Sequence, residues 1–214
     1  MSRRAWIGAA LFAVVCAFLI TLVSCGSTPK SHQSDSMLNI FAGQSMGSGV
    51  YIGNGMVVTA AHVVAGVGAG AEVKLKTDDG KELTGEVAWL APAYDIAFVR
   101  VKDIKDVASA DLACRSPVTG ENVMVEGNPI MLRFVRSWGR VSSDKIETIG
   151  DWKEGFIVDA TIAPGVSGGP IYDEDGSVIG IVVGMPRLFG LGGFAYTIAV
   201  PSSTVCALLG RKVS

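Results

Sequence analysis

From residue 39 onward, short apolar or alternating runs follow one another with turn residues between them, and this pattern constrains the fold most strongly. Regularly spaced runs of this kind predict an all-β sandwich or barrel. Glycines beside Asn or Asp, as in residues 53–55, 78–80 and 175–176, supply the positive φ that tight turns need. The predicted strands are 39–43, 46–53, 55–59, 72–77, 82–91, 95–101, 121–128, 133–143, 155–161, 168–173, 176–185 and 193–199.

A less regular connector, 102–120, separates the first six predicted strands from the last six. Residues 202–210 predict a terminal helix, because Pro201 precedes them and Gly210 ends them. Closing each set of strands into a barrel removes exposed strand edges. We therefore predict an all-β fold of two antiparallel barrels, at about 38–102 and 118–200, followed by a short C-terminal helix.

Charge and motif content exclude several classes of function. The net charge is −2 with the signs interspersed, so a nucleic-acid partner bound through bulk charge is not expected. The sequence has no phosphate-binding loop, no dinucleotide fingerprint and no metal-type spacing of Cys and His. We therefore expect no cofactor and no metal.

Residues 1–24 combine two arginines with a long uncharged run, which predicts an export signal. The end of that run, residues 22–25, resembles the lipobox of bacterial lipoproteins, which implies cleavage before Cys25 and lipid attachment to its thiol. An uncleaved membrane anchor is the alternative, because the apolar run is long enough to span a bilayer. Both interpretations tether the domain to a bacterial membrane, in the periplasm or on the cell surface, through a polar segment at 25–36.

Two more cysteines, Cys114 and Cys206, lie in the connector and the terminal helix of the predicted domain. In an oxidising compartment they could pair. Alternatively, each is a separate buried thiol that packs as a small hydrophobic side chain. The residues by themselves leave both interpretations open.

Three short segments carry the residue types of nucleophilic catalysis. His62 follows a predicted strand, Asp95 opens another, and Ser167 lies in a glycine-rich bend. Taken singly, they are typical of a structural histidine, a solvated turn acid and a simple turn. Together they supply a base, an orienting acid and a nucleophile. The other histidine of the chain, His32, lies in the polar tether, so His62 is the base available to such a site.

These segments resemble the catalytic motifs of trypsin-fold serine proteases, and especially those of the HtrA (Deg) branch. The resemblance covers about residues 38–210, and the three sites stand in the family's order. Further matching segments are GSGV at 47–50, the two valines after His62, and residues 176–180 and 196–201. The resemblance implies two six-stranded Greek-key barrels in a domain at 37–214, and a serine endopeptidase that acts on polypeptides.

The family's mechanism implies a role for each site residue. Ser167 Oγ would attack the scissile carbonyl while His62 removes its proton, and Asp95 would hold the imidazole in the correct tautomer. The backbone N–H groups of Gly165 and Ser167 would form the oxyanion hole.

The resemblance also implies a specificity pocket and a disulfide. Cleavage after small or medium aliphatic residues is expected, because the pocket positions carry no acid: Thr161 at its floor, with Ile162, Met185 and Ala195. Some trypsin-fold enzymes join the connector to the terminal helix by a disulfide, which implies a bond between Cys114 and Cys206.

Two departures from the family pattern affect regulation. Val166 stands where trypsin-like enzymes have Asp and HtrA enzymes usually have Asn, so activation through that acid is not expected. Packing or oligomer contacts would then set the oxyanion loop. The sequence ends at Ser214, about where an HtrA protease domain meets a PDZ domain, so regulation by such a domain is not expected.

The sequence leaves the oligomeric state open. A trimer is one alternative, because many HtrA proteins form trimers. One alternative function is a catalytically silent trypsin-fold lipoprotein that binds proteins, which Val166 alone favours. A structural lipoprotein with coincidental motifs is the remaining alternative.

Overall fold

Two closed barrels make up the part of the chain that the computed structural model describes, residues 36–146, 154–185 and 196–213. The strands of the first barrel are β1 (Met37–Ala42), β2 (Ser45–Tyr51), β3 (Met56–Ala60), β4 (Glu72–Lys76), β5 (Glu82–Ala91) and β6 (Ile96–Val101). Those of the second are β7 (Asn122–Gly127), β8 (Val135–Ile146), β9 (Gly155–Val158), β10 (Pro170–Tyr172), β11 (Val178–Gly184) and β12 (Thr197–Pro201). The helical segments are α1 (Ala61–Val64), α2 (Ser202–Leu208) and the 3₁₀ turns η1 (Pro92–Tyr94) and η2 (Pro129–Met131).

Both barrels have the same strand order. Around the first barrel the neighbours run β1-β2-β3-β6-β5-β4, and the second repeats this order as β7-β8-β9-β12-β11-β10. Every pairing between two of these strands is antiparallel, and the ring of hydrogen bonds closes in each barrel. The predicted fold class, two six-stranded antiparallel barrels with a short C-terminal helix, is confirmed.

Burial explains why some strands alternate and others are apolar throughout. Along β5, buried Leu83 and Val87 alternate with exposed polar residues, as expected where one face is solvated. Along β11, Val182 points into the core of the second barrel, whereas Ile181 and Val183 belong to the core that continues into the first barrel. Because β11 is buried on both faces, its sequence reads as one apolar run, and the barrels meet along it.

The strands stop short of their predicted bounds where the chain turns toward the junction of the barrels. The predicted strand 155–161 ends at Val158, and the predicted strand 168–173 begins at Pro170. Gly165 and Gly168 have φ of +105° and +85°, which no extended strand accommodates. The bend between β9 and β10 is therefore longer than predicted, and it contains Ser167.

The described chain begins at a buried contact with the second barrel. Ser36 is fully buried, and its hydroxyl lies 2.9 Å from the hydroxyl of Tyr172 on β10. Burial raises the pKa of the Tyr172 phenol well above its ordinary value, and the hydrogen bond with Ser36 offsets only part of that rise.

The predicted signal at 1–24 and the lipidation site Cys25 lie outside the described residues. In the ranges described, no helix is long and apolar enough to cross a bilayer.

Candidate active site

Strand register brings His62 and Asp95 together. β3 and β6 pair antiparallel, with Ala60 opposite Ile96. The residues that leave β3 therefore lie beside those that enter β6, and Ala61 N–H donates to the carbonyl oxygen of Asp95 at 2.9 Å. His62 occupies the first turn of α1, directly after β3.

Asp95 accepts two hydrogen bonds from His62. Its Oδ1 accepts the backbone N–H of His62 at 2.9 Å, and its Oδ2 lies 2.7 Å from Nδ1 of the imidazole. Because a carboxylate only accepts, the ring proton sits on Nδ1, which leaves Nε2 as an acceptor. The Asp95 side chain is 12% exposed and that of His62 is 49% exposed, so the acid is sheltered and the base faces the cleft. This is the arrangement required of a general base with its orienting acid.

Ser167 lies in the bend between β9 and β10, which packs against the first barrel. Its carbonyl oxygen accepts the backbone N–H of Ser48 on β2 at 2.8 Å. A Cβ placed on Gly47 would lie 2.6 Å from Val63 and 2.9 Å from Ser167 O, so Gly47 lies between the helix of His62 and the bend of Ser167. The structure thus brings all three candidate triad residues to the junction of the barrels.

The hydroxyl of Ser167 makes no hydrogen bond to His62 in the described part of the chain. Nucleophile–base hydrogen bonds are often loose without substrate and tighten in the complex. The Nδ1 bond to Asp95 is already formed, so the acid and the base are the pre-arranged pair of this site.

The bend also presents two backbone donors. Val166 N–H donates to Ala163 O at 3.2 Å, and it closes a turn whose central residues are Pro164 and the positive-φ Gly165. Proline followed by a residue of positive φ is typical of a type II turn. The N–H groups of Gly165 and Ser167 have no acceptor among the described residues. Both are therefore available to an anionic oxygen.

Val166 is buried rather than exposed to solvent. It is 4% exposed and belongs to the core of the second barrel. A Cβ on Gly127 would lie 2.8 Å from Val166 Cγ1, so only glycine at the end of β7 leaves room for this side chain. Apolar packing therefore holds the residue that precedes Ser167.

The four residues predicted for the specificity pocket are only partly brought together. Thr161 and Ile162 line an apolar cavity of about 330 Å³ with Pro129 and Leu132 of the β7–β8 loop. Met185 is half-buried at the end of β11 and does not line this cavity, and Ala195 lies outside the described residues. The pocket assignment stays a prediction.

Cys114 and Cys206 are joined by a disulfide, with their Cα atoms 5.5 Å apart. The bond ties the connector between the barrels to α2, close to Arg115. The guanidinium of Arg115 forms ion pairs with Glu121 and Asp173 at 3.0 Å and 2.9 Å. Burial lowers the pKa of Arg115, but its hydrogen bonds to these two carboxylates raise that pKa overall.

The described residues hold no group of three or more His, Cys, Asp or Glu side chains placed to bind a metal.

Sequence reasoning missed two residues of the site, Ser48 and Asn128. Both are fully buried; Ser48 donates to Gly165 in the bend, and Asn128 donates to Ser48. The glycines around Ser48 and the Gly-Asn-Pro turn at 127–129 were the available signals. Neither signal reveals hydrogen bonds between residues that are 80 and 117 positions apart in the chain.

The chain is similar to known proteins in both sequence and structure. The family described as a trypsin-like peptidase domain matches residues 47–181, more than half of the chain. The probable periplasmic serine endoprotease DegP-like of Bartonella henselae is 29% identical over 163 residues, which cover 75% of this chain and 32% of that protein. The periplasmic serine endoprotease DegP of Salmonella typhimurium is 30% identical over 174 residues, or 79% and 36% of the two chains.

Among solved structures, that of the HtrA-type protease AlgW with a tripeptide superposes with a TM-score of 0.75 and 25% identity. The superposition covers 84% of this chain and 60% of that one. This chain spans about a third of the length of the two curated relatives.

Proposed function

This chain belongs to the family of trypsin-like peptidases, and we propose that it is an HtrA (Deg)-type serine endopeptidase that hydrolyses polypeptides. The observation that carries the proposal is the double hydrogen bond between His62 and Asp95 beside the bend of Ser167. The pair leaves Nε2 of His62 as an acceptor, and the bend offers two N–H groups without an acceptor among the described residues. A base, an orienting acid, a nucleophile and a hole for an oxyanion are the parts that acyl transfer needs.

The proposed reaction proceeds in two halves. Ser167 Oγ bonds to the scissile carbonyl carbon while its proton moves to Nε2 of His62, and Asp95 stabilises the imidazolium. The carbonyl oxygen takes the negative charge and accepts hydrogen bonds from the N–H groups of Gly165 and Ser167. The C–N bond then breaks, and His62 gives its proton to the leaving amine. Water repeats the sequence on the acyl-enzyme and releases the acid product.

The proposed preference is for a small or medium aliphatic residue before the scissile bond. Thr161 carries no charge to attract Lys or Arg, and Ile162 and Met185 add apolar surface. Together with Ala195 they form the pocket in this proposal. Such pockets discriminate modestly, because one methylene is worth about 10-fold to 200-fold in kcat/KM.

We further propose that the domain acts outside the cytoplasm. The relatives named above are described as periplasmic, and residues 1–24 have the composition of an export signal. In this proposal Cys25 carries the lipid and residues 25–36 tether the protease domain at 37–214. A Cys25→Ala variant should lose globomycin-sensitive processing. Unchanged processing would support a plain membrane anchor or another cleavage route instead.

The experiment for the proposed activity compares the wild type with Ser167→Ala and His62→Ala on casein and on a library of fluorogenic peptides. Each substitution should lower kcat by about 10⁴-fold or more, because the nucleophile and base act as a unit. Tm should change little in Ser167→Ala and fall by about 4–8 °C in His62→Ala, because the second variant loses one charge-assisted hydrogen bond to Asp95. Cleavage of casein by either variant at the wild-type rate would contradict the triad. A folded wild type that cleaves no library member would favour a silent protein-binding domain.

A further inference from the structure

Ser48, on β2 of the first barrel, makes four hydrogen bonds into the second barrel although it belongs to neither the triad nor the oxyanion hole. The residue is fully buried. Its N–H donates to Ser167 O at 2.8 Å, and its hydroxyl donates to Gly165 O at 2.8 Å. The same hydroxyl accepts the N–H of Asn128 at 3.0 Å and the side-chain Nδ2 of Asn128 at 3.1 Å.

Asn128 fixes the direction of the Ser48 hydroxyl. A hydroxyl offers one hydrogen and two lone pairs. Both donors of Asn128 point at Oγ and occupy the lone pairs, so the hydrogen is left for Gly165 O. Asn128 is itself held, because its Oδ1 accepts the N–H of Phe134 at 3.2 Å and its Nδ2 lies 3.4 Å from Met37 Sδ.

The Ser48 bond holds the middle one of three consecutive peptide groups in the oxyanion loop, residues 163–169. The carbonyl of Pro164 accepts the N–H of Ile130 at 2.8 Å, and the carbonyl of Val166 accepts the N–H of Gly169 at 2.8 Å. In a trans peptide the N–H points away from the C=O. These two bonds therefore aim the N–H groups of Gly165 and Ser167, and Ser48 holds the peptide group that joins them.

We propose that Ser48, oriented by Asn128, is a positioning residue that keeps the oxyanion loop in its competent conformation. The inference rests on the proposed peptidase function. In this proposal Ser48 and Asn128, both uncharged and buried, hold the oxyanion loop in place. An ion pair at position 166 cannot do so, because Val166 has no charge. The loop is then competent without cleavage of the chain.

Ser48→Ala tests the proposal, because it removes one hydroxyl and leaves Gly165 O without its donor. We expect kcat on a fluorogenic peptide to fall about 10-fold to 100-fold with KM within twofold, since the oxyanion donors act only in the transition state. The affinity for a peptide aldehyde, whose adduct is tetrahedral, should fall by the same factor. A purely structural role would leave the ratio of aldehyde affinity to substrate affinity unchanged.

Ser202→Ala is the matched control. Ser202 lies on α2, away from the loop, and is also fully buried. Its hydroxyl donates to Arg115 O at 3.3 Å. Its kcat and aldehyde affinity should equal those of the wild type. A folded Ser48→Ala protein with kcat within twofold of the wild type would overturn the proposal.

Hydrogen exchange of the intact protein supplies a readout that does not depend on activity. The amide of Val166 should exchange more slowly than an unstructured amide in the wild type, and about tenfold faster in Ser48→Ala. The N–H groups of Val166, Gly168 and Gly169 are hydrogen-bonded in the structure. Exchange of these wild-type amides at the unstructured rate would overturn the inference even if Ser48→Ala does not fold. A wild type that does not react with fluorophosphonate but has a protected loop would overturn the peptidase function alone.

Discussion

Replacing Asp95 by Asn changes the chemistry of the His62 contact while keeping its shape. Asp95 lies in the left-handed region with φ of 54° and ψ of 39°, which Asn also tolerates. The amide oxygen of the new side chain would keep the bond from the backbone N–H of His62 that Oδ1 accepts at 2.9 Å. The amide nitrogen then faces Nδ1 of the imidazole, where Oδ2 now lies at 2.7 Å. Two donors cannot face each other, so the ring proton moves to Nε2.

The cost falls on catalysis rather than on folding. With its proton on Nε2, His62 cannot take the proton of Ser167, and this change of tautomer lowers kcat by about 10⁴-fold in enzymes with such a triad. At about 1.36 kcal/mol per factor of ten, the barrier rises by about 5.4 kcal/mol. The folded state loses one charge-assisted hydrogen bond, about 2 kcal/mol, which lowers Tm by about 4–8 °C.

The assay measures kcat on a fluorogenic peptide and Tm for Asp95→Asn beside Asp173→Asn. Asp173 is a suitable control because it also accepts backbone N–H groups, from Ser177 and Asp175, and pairs with Arg115. Asp173→Asn should lower Tm and leave kcat within twofold. An Asp95→Asn enzyme that keeps kcat within tenfold of the wild type would refute the assignment of Asp95 as the orienting acid.

Three further predictions concern stability. Gly168→Ala should lower the free energy of unfolding in urea by about 4 kcal/mol, because its φ is +85° and a Cβ would overlap atoms of β2 and β3. Gly176→Ala, with φ of +82° and open space around it, should lower it by about half as much. Equal losses would contradict the overlap. Replacing Cys114 and Cys206 together by Ala should lower the free energy of unfolding by about 4.5 kcal/mol, because the bond restrains a loop of 92 residues in the unfolded chain. A loss below about 1 kcal/mol would contradict such a restraint. Above pH 10 the unfolded chain releases the phenol proton of Tyr172 while the folded chain retains it, so the free energy of unfolding falls as the pH rises. In Tyr172→Phe this part of the pH dependence should vanish. If urea titration at pH 9–12 gives the wild type and the variant the same slope of unfolding free energy against pH, the prediction is contradicted.

Local patterns were enough to predict the barrels because burial follows them closely. Leu83 and Val87 alternate with polar residues on a strand with one solvated face, and β11 is apolar on both faces because each faces a core. The bend before β10 was harder to predict, since the chain departs from a strand at Gly165 and Gly168 through their positive φ.

The candidate site divides in the same way. The order and type of His62, Asp95 and Ser167 are visible in the sequence, and the register of β3 with β6 places the first two side by side. Ser48 and Asn128 carry no catalytic group, and their effect depends on contacts between strands far apart in the chain. Such contacts come from barrel packing and not from any local pattern, so only the structure reveals them.

The most direct test of the proposed activity is fluorophosphonate labelling of the full chain beside its Ser167→Ala variant. An activated serine, with a base and a formed oxyanion hole, reacts with this probe, whereas an ordinary serine does not. We expect one phosphonate per chain, mapped to Ser167 by peptide mass spectrometry, and no labelling of the variant. A folded wild type that stays unlabelled, or labelling that persists in Ser167→Ala, would contradict an activated serine at this site.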